Sequence, residues 1–191
     1  SSMPHVFSTF LTLLIDGVSY GMMLFLISVG LTITMGVMRV VNLMHSAFAM
    51  VGGFITLWLA SHVGLNYFAA LVLGVAATML ISLVLERTLY QWVYKSNALG
   101  QLLMTLGMTF VVTAVVKNIA GPQIQSIVLP SVLTGQITLG ALNISVYRLF
   151  VLVLSVVVAG VLWLCLEYTP FGARLRAAVD NPRMARCVGI N

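Results

Sequence analysis

Charge is scarce in this chain. Of 191 residues, nine are Lys or Arg and four are Asp or Glu, 7% in all, against about 25% for an ordinary soluble domain. So little charge excludes a solvated globular surface. The net +5 does not of itself imply nucleic acid; where the basic residues sit points instead to a membrane surface or a protein partner. Cysteine is scarce too. Cys165 lies in an apolar run and Cys187 in a basic tail, so no disulfide is expected, and no Cys/His cluster has metal-ligand spacing. The only Lys followed by Ser or Thr is Lys95-Ser96, with no glycine before it, so the chain has no loop to cradle ATP phosphates. HExxH, GxSxG and clustered carboxylates are missing as well, so no catalytic residue, no metal and no cofactor is expected.

Apolar residues are what the chain has in abundance, 61% of it, with a mean hydropathy of +1.11. A helix needs roughly 20 apolar residues to cross a bilayer. The runs predict an all-α, polytopic bundle with spans at residues 7–30, 42–61, 65–86, 100–118 and 147–167, forming a single transmembrane domain over 1–191. Residues 31–41 are expected to be a connector or a broken helical segment. The first apolar run is too long for a signal peptide and lacks a basic leader. Lys117 and Arg148 fall at span ends, where long side chains snorkel to the interface.

Orientation follows from the basic residues. Arg39, Arg87, Lys95, Arg174, Arg176, Arg183 and Arg186 fall on one side of the membrane, and only Lys117 and Arg148 on the other. The richer side is read as cytoplasmic, which puts the N-terminus and the 119–146 loop outside. In that loop Gln136–Leu139 and Leu142–Ser145 alternate around Gly140-Ala141, the pattern of a small β-hairpin. It is a lid over the helix ends or a docking surface for an external partner.

The tail, residues 168–191, carries two helix starts. Thr169-Pro170 and Asn181-Pro182 each pair an N-cap residue with Pro at the first helical position, and Gly189 supplies a stop. The surrounding arginines suit anionic headgroups or a soluble subunit, and two separately capped helices favour docking.

Polar groups inside apolar runs are the site candidates, because they are costly at membrane depth. Gly36, Asn42, His45 and Asp16 are the candidates for a substrate pathway. Asn42 is placed to cap the second span, whose N-terminal N–H groups suit a carboxylate. Alternatively, Asn42 and His45 satisfy the backbone around Gly36. Asp16 serves packing at the interface or binds a substrate ammonium. Met22, Met23 and Met44 read as lipid-facing or packing residues.

Three ordered blocks carry a resemblance. The first is Gly30-Leu31-Thr32, Gly36, Met38, Val40-Val41-Asn42 and His45. The second is Glu86-Arg87 followed by Gln101 to Gly107, and the third runs from Tyr168-Thr169-Pro170-Phe171-Gly172 to Gly189-Ile190-Asn191. In these the chain resembles the permease subunits of bacterial ABC importers for branched-chain amino acids, of the LivH type. It is similar to the N-terminal two-thirds of such a subunit. The resemblance implies a multi-pass inner-membrane protein working with a second permease, homo- or heterodimeric, two ABC ATPase subunits and a periplasmic solute-binding protein. It also implies that Arg183, Met184, Ala185 and Gly189 occupy the frame of the family's ATPase-coupling loop. Arg183 and Met184 depart from the acid and small residue expected there, and Ser46 replaces a glycine. Related permeases move urea, short amides or aromatic acids. A secondary transporter or channel would use the same buried polar residues without needing a docking helix.

Overall fold

The computed structural model describes residues 3–36, 39–123, 125–140 and 142–190. Met38, part of the first sequence block, lies outside the described residues. Among them are five helices long and apolar enough to cross a membrane. The chain divides into two compact units, residues 1–29 with 130–191, and residues 30–129.

Helix α1 runs from Met3 to Gly36 without interruption, so it extends six residues into the segment 31–41 expected to be a connector or a broken helix. Where lipid offers the backbone no other partner, helix is kept through glycine and β-branched residues. The Thr34 hydroxyl also folds back on the Leu31 carbonyl (3.0 Å). The helix is about 51 Å long, well beyond the ~30 Å hydrocarbon core.

In the second unit, α2 (His45–Trp58) continues through a π-helical turn at Leu59–Val63. Helix α3 (Tyr67–Leu85), capped by Asn66, passes through a second π turn, Glu86–Tyr90, into α4 (Gln91–Tyr94). Glu86 and Arg87 thus stay helical, and the third span extends past the boundary expected at 86. Helix α5 (Ala98–Ala120) is capped by Asn97, which accepts from the Gly100 amide. Helices α2 and α3 meet through paired small residues. Thr56 donates to Gly52 O and Thr78 to Gly74 O, each at 2.8 Å. A Cβ on Gly52 would lie 3.1 Å from the Thr78 hydroxyl, and one on Gly74 would strike Thr56. This is close backbone approach of the kind membrane helices use in place of hydrophobic attraction.

In the first unit, α7 (Val146–Tyr168) runs parallel to α1. Arg148 pairs with Asp16, and further down Ser155 donates to Met22 O (3.4 Å). Arg148 is therefore held by an acid rather than snorkelling alone. Before α7 come α6 (Ser131–Thr134) and an antiparallel hairpin, β1 (Gln136–Leu139) with β2 (Leu142–Ser145). Gly140 supplies the positive φ (64°) of its turn; Ala141 lies outside the described residues. After α7 come α8 (Pro170–Asp180) and α9 (Pro182–Cys187).

Burial runs opposite to that of a soluble protein. Val72, Leu80, Val84, Val111 and Val153 are at least 60% exposed, while Ser19, Asn42, Thr56, Gln101, Thr105 and Ser155 are buried. Lipid solvates the first set; the second has to find partners within the protein.

Candidate functional site

The connector between α1 and α2 is where these buried polar groups gather. Arg39 takes a left-handed φ of 54°, uncommon outside glycine, and the Val40 amide returns to Thr34 O (2.9 Å). The next amide, of Val41, donates to Gln101 Oε1 (3.0 Å). Thr109 Oγ1 donates to Leu43 O (3.3 Å). Both partners are on α5, which is about 34 Å long, and Thr109 lies about 16 Å along it from Ala98. The connector therefore climbs to about the middle of a membrane-spanning helix before α2 begins.

Asn42 is buried, and both ends of its amide are hydrogen-bonded. Its Oδ1 accepts from the Met44 amide (2.9 Å), and its Nδ2 donates to the Tyr90 hydroxyl (3.2 Å). It therefore forms a local turn and does not cap α2, whose N-cap position is Met44 and whose start no side chain caps. The reason is reach: from Asn42 the nearest amide in range is that of Met44, before the helix. Met44 has no exposed surface and packs with Tyr90, Val93, Phe48, Leu85, Met108 and Val112. Beneath the connector these side chains form a plug, which makes Met44 a packing residue and not a lipid-facing one.

His45 opens α2. Its Nε2 lies 3.3 Å from Thr34 Oγ1. The same hydroxyl also reaches Leu31 O (3.0 Å), so Thr34 joins the ring to the end of α1, with the direction of the Thr34–His45 bond set by the ring's tautomer. The ring lies against Gly30, where a Cβ would come within 3.3 Å of it. Gly30 is thus a seat for the imidazole. Ser46 is exposed in the same uncapped first turn, whose amides have no intrahelical acceptor. Gly36 is exposed, and a Cβ there would meet nothing within 4 Å among the described residues.

The family model described as branched-chain amino acid transport system / permease component matches residues 13–191. The chain belongs to this family. It is 24% identical over 202 residues to the high-affinity branched-chain amino acid transport system permease protein LivH of Salmonella typhimurium, and equally to LivH of Escherichia coli. It is 24% identical over 200 residues to the corresponding protein BraD of Pseudomonas aeruginosa. In each case 99% of this chain is covered but only 65% of the relative. No solved structure matches the chain. As a member of this permease family with five candidate spans, it is a multi-pass membrane protein.

The tail of this family member turns on a tightly packed corner. Thr169 caps α8 and also donates to Cys165 O, while Arg176 donates to Leu166 O. A Cβ on Gly172 would lie 2.6 Å from the Leu166 carbonyl carbon, so only glycine lets α8 cross there. Asn181 caps α9 by accepting from the Met184 amide (3.2 Å). Helix α9 ends in a Schellman motif, with Ile190 N donating to Ala185 O and Gly189 N to Arg186 O and Gly189 at φ 82°. Ala185 packs inward, while Arg183 is exposed and Met184 and Val188 are 63% and 70% exposed.

Tyr90, Gln101 and Thr109 were not expected at the site. Tyr90 gives no signal in the sequence, being an aromatic near a span end like many others. For the other two a signal exists. Asn97, Gln101, Thr105 and Thr109 recur every fourth residue in an apolar helix, which places them along one face.

Proposed function

We propose that this chain is a transmembrane permease subunit of an ABC importer for branched-chain or related amino acids, a single transmembrane domain in the bacterial inner membrane. The carrying observation is the α2 start. An uncapped helix N-terminus, with Ser46 exposed and the His45 ring held between Thr34 and Gly30, lies level with the middle of α5. Its unpaired amides and positive dipole end suit a carboxylate, and broken helices at mid-membrane serve this purpose in other transporters. On this reading Asn42 is a positioning residue that holds the turn, while His45 and Ser46 line the path. Gly36, the last described residue of α1, lines the same path ahead of the turn.

The N-terminus is periplasmic on this reading. Arg39, Lys95 and the tail arginines then share the cytoplasmic side, and the hairpin faces outward. The exposed apolar and basic face of α9, around Arg183, Met184 and Val188, meets an ATPase subunit, and Gly189 fixes its end. The tightly packed corner at Thr169–Gly172 carries movement of that helix into α7. Because this chain has no phosphate-cradling loop, ATP is hydrolysed by separate subunits. A second permease and a solute-binding protein complete the assembly.

The test is uptake into proteoliposomes holding the protein with the ATPase and solute-binding subunits encoded alongside it. ATP-dependent accumulation of L-leucine is expected. Uptake that proceeds without ATP would mark a secondary transporter or channel. ATP-driven uptake of urea, short amides or aromatic acids in place of leucine would move the substrate class.

A further inference from the structure

The first unit carries a polar cluster of its own. A cavity of about 340 Å³ between α1 and α7 is lined by Asp16, Ser19, Tyr20, Tyr147, Arg148 and Val151. Asp16 and Arg148 form an ion pair across it, with 36% and 48% of their side chains exposed. Ser19 is 6% exposed, and its hydroxyl is the buried side-chain polar atom without a hydrogen-bond partner among the described residues. Buried hydroxyls are seldom left unpaired, and one that is calls for an explanation.

We propose that Asp16, Arg148 and Ser19 form a binding site for the zwitterionic head of an amino acid. It rests on the reading of the chain as an amino-acid permease and gives that reading a substrate contact. In an α-amino acid one carbon separates an ammonium from a carboxylate, so the two charges match an acid and a base that already lie side by side. A carboxylate has about four lone-pair sites and a guanidinium five N–H donors, so each keeps capacity beyond their mutual contact. The ammonium takes Asp16, the carboxylate takes Arg148, and the Ser19 hydroxyl gains the partner it lacks. Val151 leaves an apolar wall for the side chain. A zwitterion adds no net charge to this neutral pair, whereas a simple cation or anion brings a charge with nothing to balance it, which is costly away from bulk water. Holding α1 against α7 does not account for Ser19, whose hydroxyl bonds to neither helix.

The test places Ser19→Cys in the assembled transporter, in lipid nanodiscs and with the native cysteines replaced by serine. A small methanethiosulfonate reagent reports the cavity. Saturating L-leucine should slow modification several-fold, whereas 3-methylbutylamine and 4-methylpentanoate, each with one of the two charges, should not. Adding Asp16→Asn should abolish the protection. Equal rates with and without leucine would overturn the proposal, as would protection that survives Asp16→Asn. Should the cysteine variant fail to assemble, equilibrium binding of radiolabelled L-leucine decides between wild type and Ser19→Ala. The alanine breaks no bond in the folded protein, so weaker binding supports the site and unchanged binding removes it. ATP-driven uptake by the wild-type assembly is read separately. Uptake with unprotected Ser19→Cys sinks only this site, while protection without ATP-driven uptake sinks only the importer reading.

Discussion

At Tyr90 a single hydroxyl holds the Asn42 amide in a site where water does not compete. Tyr90→Phe keeps the ring in the Met44–Val93 plug and leaves Asn42 Nδ2 buried without its acceptor, at a cost of about 1–3 kcal/mol. The variant is expected to insert and assemble, to melt at lower temperature, and to transport more slowly. Thermal unfolding of the purified assembly beside initial uptake rates checks this; unchanged melting and uptake would show that the bond holds nothing. Asn42 and His45 stand out in the sequence because a polar residue in an apolar run has to be accounted for. Their partners do not, since what Asn42 bonds to depends on a residue 48 positions away that only packing brings near. Even the kind of bond was not legible: an asparagine before a helix reads as its cap, and here it closes the turn ahead of it.

The short tail helices were the most legible elements, because capping is chemistry between near neighbours. Thr169-Pro170, Asn181-Pro182 and Gly189 each do what their residue types favour. The hairpin was legible for the same reason, its alternation and turn being local. The long helices were less so. Nothing local tells a glycine that ends a helix from one that seats an imidazole, so α1 was expected to stop near Gly30 and runs instead to Gly36. The continuation of the third span through a π turn at Glu86 and Arg87 was hidden by their charge. For α9 the φ of 82° at Gly189 makes a clear prediction. A β-branched side chain there is strained by ~1 kcal/mol or more, and the Schellman bonds from Gly189 and Ile190 should open. Gly189→Val should leave the spans inserted while ATP hydrolysis continues with little uptake. A variant that retains the wild-type ratio of uptake to hydrolysis would mean that this helix is not the coupling element.

Over the whole molecule, orientation and pathway are the two properties on which the account stands. Class was plain from composition, since few charges and long apolar runs leave little choice but a membrane bundle. Which side faces in rests on the basic residues alone, and Cys187 reports it directly. With Cys165→Ser removing the other thiol, a membrane-impermeant maleimide should label Cys187 in inside-out vesicles and not in intact spheroplasts. Bound ATPase subunits should slow that labelling. Labelling from the periplasmic side would invert the topology, and labelling indifferent to the ATPases would remove the docking role of α9.

The central claim is that the start of α2 lies on a solvated path whose access alternates. Ser46→Cys, in a background lacking the native cysteines, tests it through the rate of reaction with a small charged thiol reagent in the reconstituted transporter. Reaction is expected from the periplasmic side in one nucleotide state of the ATPases and from the cytoplasmic side in the other, despite the mid-membrane depth. A thiol that stays unreactive from both sides, or reacts equally in every nucleotide state, would contradict it.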